Sequence, residues 1–163
     1  MERRVYLGYT LAIAAAVVLG FTRTFFLKPF FPELHHLVPP EPIFFVHGVV
    51  LTAWFVLLVA QAVLITTRRV TWHRTAGWAG AGLAGAVLVF GTFGSLVAAA
   101  RPGGFLGITQ PPEQFLVLPA TNMLLFGLFA GLGIRWRRNL QAHKRAMLVA
   151  SIGMLDAAIA RWP

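Results

Sequence analysis

Apolar residues run almost unbroken from Val5 to Leu27, and the chain returns to the same pattern four more times. About 20 apolar residues in helical geometry cross roughly 30 Å of hydrocarbon. The pattern predicts an all-α, polytopic transmembrane bundle of about five spans in a single domain, over 5–27, 43–66, 75–100, 114–134 and 144–161. The breaks have local causes. Pro29, Pro32, Pro39, Pro40 and Pro42 predict an extended loop over 28–42, because proline cannot continue a helix. Arg101-Pro102-Gly103-Gly104 ends the third run, and Pro111-Pro112 leads into the fourth. Arg68-Arg69 and Arg135-Trp136-Arg137-Arg138 close the second and fourth.

Composition supports this pattern. The 163 residues are 58% hydrophobic and only 12% charged, with a mean hydropathy of +0.73. A soluble chain would carry about 25% charged residues. A net charge of +9 raises the question of nucleic acid, but the cations sit at the ends of apolar runs. They read as topology signals and contacts to anionic headgroups, and no nucleic-acid partner is expected. The opening Met1-Glu2-Arg3-Arg4 has the charge of a signal peptide. The apolar run behind it is too long for one and has no clear cleavage site, so it reads as an uncleaved first span. Cysteine is absent, which excludes disulfides and thiolate chemistry.

The cations also orient the spans. Arg3 and Arg4; Arg68, Arg69 and Arg74; and Arg135, Arg137, Arg138, Lys144 and Arg145 share one side of a five-span chain, ten of the fourteen. Arg23, Lys28, Arg101 and Arg161 share the other. The positive-inside rule then puts the N-terminus in the cytoplasm and Pro163 outside, in the inner (plasma) membrane of a cell. Trp72, Trp78 and Trp136 fall at the expected inner interface and Trp162 at the outer one. The chain stops at that surface, which suggests a C-terminally truncated form with further helices after Pro163.

Small residues recur at Gly77, Ala81 and Gly85 in the third span and at Gly127 and Gly131 in the fourth. Such spacing lets helix backbones approach closely, chiefly within the chain; a homo-oligomer or a membrane-complex partner is the alternative. A weak internal echo joins Arg68-Arg69-x-x-x-His73-Arg74 to Arg137-Arg138-x-x-x-x-His143-Lys144-Arg145, as in a duplicated helical hairpin.

That echo makes His73 and His143 equivalent, on neighbouring helices at the inner side. Two such histidines are the axial ligand set of a b-type haem, which makes haem b the candidate cofactor; the plainer reading has both imidazoles anchoring helix starts among headgroups. A non-haem metal ion or a proton relay is a further use of the pair, although no metal-ligand motif is present. His35 and His36 lie in the Pro-rich loop. His47, Trp54 and Gln61, spaced by seven, share one face of the second span, which should turn inward to partners or a cavity. Arg23, Asn122 with Thr121, and Asp156 fall at similar depth near the outer side. Asp156 is the only acidic residue inside an apolar run and needs a partner, with Arg23 and His47 nearest by depth and Arg161 poorly placed for a direct pair. Arg23, His47, Trp54, Asn122 and Asp156 thus form a candidate ligand pocket, with a purely structural polar cluster as the competing reading. No catalytic residue is named, because no nucleotide-binding, metalloprotease or serine-hydrolase motif is present.

The runs Thr71-Trp72-His73-Arg74-Thr75-Ala76-Gly77-Trp78 and His143-Lys144-Arg145-Ala146-Met147-Leu148, with His47-Gly48 opening a helix, resemble uncharacterised multi-pass bacterial inner-membrane proteins. Those proteins carry an His-Arg-x-x-Gly start on one helix and an His-Lys-Arg-x-Met start on a later one. The resemblance covers roughly 40–161 and implies a membrane bundle without assigning chemistry. A looser likeness to four- to six-helix b-type cytochromes rests on histidines at helix ends, and the chain lacks their two His pairs. Four functions remain open: a membrane protein with a polar outer pocket, a b-type haem redox protein, a small proton-coupled transporter or sensor, and a structural subunit of a larger membrane complex.

Overall fold

The computed structural model describes residues 2–37 and 41–162, which form helices and turns with no strand among them. The helices are α1 (Glu2–Phe21), α2 (Pro42–Thr66), α3 (Val70–Ala100), α4 (Pro112–Phe115), α5 (Val117–Arg135), α6 (Leu140–Ile152) and α7 (Asp156–Ile159). Four segments are long and apolar enough to cross a membrane: Glu2–Phe26, Pro42–Thr66, Val70–Ala100 and Pro112–Arg135. This is a helical membrane-protein architecture.

Neighbouring helices run antiparallel. Arg3 Nη1 donates to the Ile65 carbonyl at 3.5 Å, and Phe25 packs over Gly48, so α1 and α2 are opposed end to end. Leu57 meets Gly80 and His47 lies beside Gly94, which opposes α2 to α3. Met123 covers Gly91 and Leu88 covers Gly127, opposing α3 to α5; Met147 covers Gly133, opposing α5 to α6. The end that holds Glu2 is called the near end below, and the opposite end the far end.

The run expected as a continuous span over 144–161 is instead broken. After Ile152 the backbone tightens to i→i+3 bonds, Met154 N to Ser151 O and Leu155 N to Ile152 O, before α7 begins. Ser151, Gly153 and Asp156 make this the least apolar of the five runs. The broken helix still travels parallel to α1. Lys144 pairs with Glu2 at the near end, and Gly20 sits against the Ala158 backbone at the far end. A Cβ on Gly20 would collide with that backbone, so glycine is required there for α1 and α7 to touch.

The loop expected to be extended over 28–42 instead holds two 3-10 turns, Lys28–Phe30 and Pro32–Leu37. The prolines that forbid helix interiors are well suited to first turns, and Pro42 likewise opens α2. Pro39, Pro40 and Pro163 lie outside the described residues, and so does the side chain of His35. Gly127 packs against Leu88, whereas a Cβ on Gly77, Gly85 or Gly131 would meet open space. The intramolecular packing expected of those three glycines is therefore not made. The core is where α2, α3, α5 and α6 converge on Trp54, Val87, Phe126, Ala150 and Ser151, and α1 and α7 contribute Ile13, Val17 and Ala158.

Candidate functional sites at the two ends of the bundle

At the near end, two short turns aim two histidines at each other. The turn after α2 closes with Arg69 N bonded to Leu64 O at 2.8 Å and Arg68 N to Ile65 O at 3.2 Å, the paired bonds of a Schellman cap. It launches α3, whose first turn carries His73. The turn after α5 ends in Asn139, whose side chain accepts from the Gln141 and Ala142 amides at 3.2 and 3.1 Å. That N-cap starts α6, and His143 follows in its first turn. The His73 and His143 rings stand 6.2 Å apart, centroid to centroid, at 81°.

Each ring is held from behind. His143 Nδ1 lies 2.8 Å from the Gly133 carbonyl, so Nδ1 carries the proton and donates. Gln61 reaches from α2 to His73. With its amide nitrogen toward α3, it donates to the His73 carbonyl at 3.2 Å and to Nδ1, while its oxygen accepts from the Gly77 amide at 3.1 Å. Among the described residues no third His, Asp or Glu joins the pair in a metal-holding group.

At the far end the candidate pocket is divided among separate partners. Asn122 Nδ2 donates to Asp156 Oδ2 at 2.7 Å, and Asp156 Oδ1 accepts from the Ala157 amide at 2.7 Å. Asn122, rather than Arg23 or His47, is thus the direct partner of Asp156: it stands across from it on α5, within reach of a short side chain. His47 Nδ1 lies 3.3 Å from the Phe90 carbonyl on α3. Arg23, in the π-helical turn Thr22–Phe26 that continues α1, stacks over Phe31 at 5.6 Å. Trp54 sits deeper, 2% exposed; its indole donates to Ser151 Oγ at 3.1 Å and packs edge-on against Phe126 at 5.0 Å.

Arg161 folds back over the Phe21 ring at 5.0 Å, and its Nη1 donates to the Ala157 carbonyl at 2.6 Å. Three contributors escape the sequence reading: Gln61 as the partner of His73, Ser151 as the partner of Trp54, and Arg161 as a cation stacked on Phe21. The first two carried a usable signal, since a polar side chain in an apolar run must find a partner. For Arg161, helical spacing argued only against a direct pair with Asp156, and its place over Phe21 depends on how α7 meets α1.

No protein-family profile matches the chain, and neither does any curated protein or solved structure.

Proposed function

We propose that this chain is a redox protein of the inner (plasma) membrane, with its N-terminus cytoplasmic, and that His73 and His143 are axial ligands of a b-type haem. The reading rests on one observation, the 6.2 Å separation of the two imidazoles. A nitrogen about 2.0–2.1 Å from a metal puts its ring centroid about 3 Å away, so two rings on one ion lie roughly 5–6.5 Å apart. The donor set fits as well. A porphyrin brings its own equatorial nitrogens, so two imidazoles suffice where a bare ion would need more protein ligands.

The hydrogen bond behind the His143 ring has the form found behind metal-ligating histidines. Gly133 O fixes His143 with its proton on Nδ1 and leaves Nε2 as the donor atom. His73 would present the same tautomer only with the Gln61 amide turned the other way, its oxygen toward Nδ1–H, so haem binding would go with a rotation of the Gln61 amide. Open space beside Gly77, one turn beyond His73, leaves room next to the pair. A bound haem would supply one-electron transfer; the chain holds, orients and partly shields it.

The test is the absorption spectrum of detergent-purified protein from haem-supplied cells, oxidised and then dithionite-reduced. A Soret band with sharp reduced α and β bands is expected. His73→Ala and His143→Ala should each abolish it, and Asp156→Asn should leave it intact. A featureless wild-type spectrum overturns the reading.

A second reading is supported by the bond of Asn122 to Asp156, with Arg161 and His47 at the same end of the bundle. Those four groups would then form a proton- or anion-responsive site of a small transporter or sensor. It expects ligand- or pH-dependent stabilisation that Asp156→Asn removes, with no visible chromophore. The open face at Gly77 and Gly85 supports an oligomer or complex partner in either reading.

A further inference from the structure

Between the starts of α1 and α3 lies a cavity of about 660 Å³ lined by Glu2, Arg3, Arg4, Thr66, Arg68 and Val70. Its single carboxylate is already engaged, because Glu2 Oε1 pairs with Lys144 Nζ at 2.5 Å and accepts from Gln141 Nε2 at 3.3 Å. Among the described residues Arg3, Arg4 and Arg68 have no carboxylate within ion-pair distance. Two long helices also begin at this cavity, and their first-turn amides add partial positive charge.

Arg68 lines this cavity from the turn between α2 and α3. It is the only non-glycine residue with positive φ among the described residues, at 61°. It occupies the left-handed position of the cap that ends α2, where glycine is unstrained and common. An arginine is held there in a conformation disfavoured for L-residues. Thr66 and Val70 put the cavity at the ends of two helices long and apolar enough to cross a membrane, which is headgroup level. Val5 and Trp72 are exposed and follow the lining residues Arg4 and Val70 by one and two positions in the chain, which supplies apolar surface for an acyl chain.

We propose that this cavity binds the phosphodiester headgroup of an anionic phospholipid, with Arg3, Arg4 and Arg68 as its ligands. The site is separate from the histidine pair and stands whether or not haem is bound.

Native mass spectrometry of the full chain in detergent, titrated with dioleoyl-phosphatidylglycerol or dioleoyl-phosphatidylcholine, tests it. Each basic group near a charged bilayer surface contributes enough that the double variant Arg3→Gln/Arg68→Gly should lose about tenfold or more in phosphatidylglycerol affinity. The wild type should prefer phosphatidylglycerol to phosphatidylcholine by a similar factor. Arg137→Gln/Arg138→Gln, in the other basic cavity at this end, should bind as the wild type does. Arg68→Gly alone guards against misfolding: it relieves the backbone, so it should melt no lower than the wild type in neutral detergent while binding phosphatidylglycerol more weakly. Equal binding of the two lipids overturns the proposal, as does equal loss in the Arg137/Arg138 variant. Full competition by glycerol 1-phosphate at lipid-like concentration also overturns it, because the site would then serve a soluble anion.

Discussion

The two ends of the bundle solve the problem of charge in opposite ways. At the far end the cations have partners inside the chain. Arg101 pairs with Glu41 at 3.3 Å and lies over Phe44, Arg23 stacks on Phe31, and Arg161 covers Phe21. At the near end Lys144 has Glu2 and the Tyr6 ring, and Arg137 lies over Trp78 at 6.0 Å, but Arg3, Arg4 and Arg68 have neither a carboxylate within ion-pair distance nor a ring to stack on among the described residues. The packing differs in the same sense. Gly20 brings α1 onto the α7 backbone at the far end, while Gly77 beside His73 faces open space. The far end is closed by its own side chains, and the near end leaves charge and surface for something else. This is why both proposed binding sites, for haem and for lipid, lie at the near end.

The sharpest way to break that contrast is to put a side chain on each glycine. Gly20→Val places atoms into the Ala158 backbone, which has no flexible group to give way. Overpacking of that kind costs about 3 kcal/mol. Gly77→Val meets nothing and should stay within about 0.5 kcal/mol of the wild type. Thermal unfolding in detergent reads both; equal loss would mean that the near end is packed as closely as the far end.

Next in size is the Asn122–Asp156 bond. Asn122→Leu leaves Asp156 Oδ2 without its donor, a loss of about 1–3 kcal/mol. The coupling in a double-mutant cycle with Asp156→Ala should be smaller, about 0.6–1.7 kcal/mol, as for polar pairs between membrane helices. A coupling near zero would show that the pair contributes nothing to closing the far end.

How much of this was legible in the chain depends on the range of the cause. The four long helices follow from apolar runs, and their ends from Pro, Gly and Arg within a few residues. The approach of His73 to His143 was foreshadowed because both follow basic turns on the same side, and two hairpins alone fix that geometry. The partition of the far-end polar groups was not legible. Depth along a helix put Arg23, His47, Asn122 and Asp156 at one level, but choice of partner depends on rotation about each axis. On α2, His47, Trp54 and Gln61 do lie along one side, yet they find Phe90, Ser151 and His73 respectively. A single shared pocket needs those partners to coincide, and spacing on one helix cannot supply that. The break at Gly153 was hidden for a different reason: apolar content predicts burial, not whether the helix tightens.

Arg68 sharpens the comparison from the near end. Relieving a left-handed arginine with glycine recovers part of the roughly 1–2 kcal/mol penalty of that conformation, less the extra freedom glycine has when unfolded. Arg68→Gly should therefore stabilise the protein by up to about 1 kcal/mol in neutral detergent. Destabilisation there would mean that the guanidinium holds the α2–α3 turn together, and the near end would then use its cations as the far end does.

The smallest effect is expected at Glu41. Its Oε1 meets Arg101, while Oε2 is buried without a partner, so the carboxylate carries a desolvation cost that offsets its ion pair. Glu41→Gln keeps the shape, donates to no obvious acceptor and weakens the pair, so the net change should fall within about 1 kcal/mol and shrink in salt. Arg101→Gln should cost more than Glu41→Gln, because it leaves a half-buried carboxylate unpaired beside an apolar loop. If the order is reversed, the pair acts through Glu41 alone, and the far-end cations are as independent of their carboxylates as those at the near end.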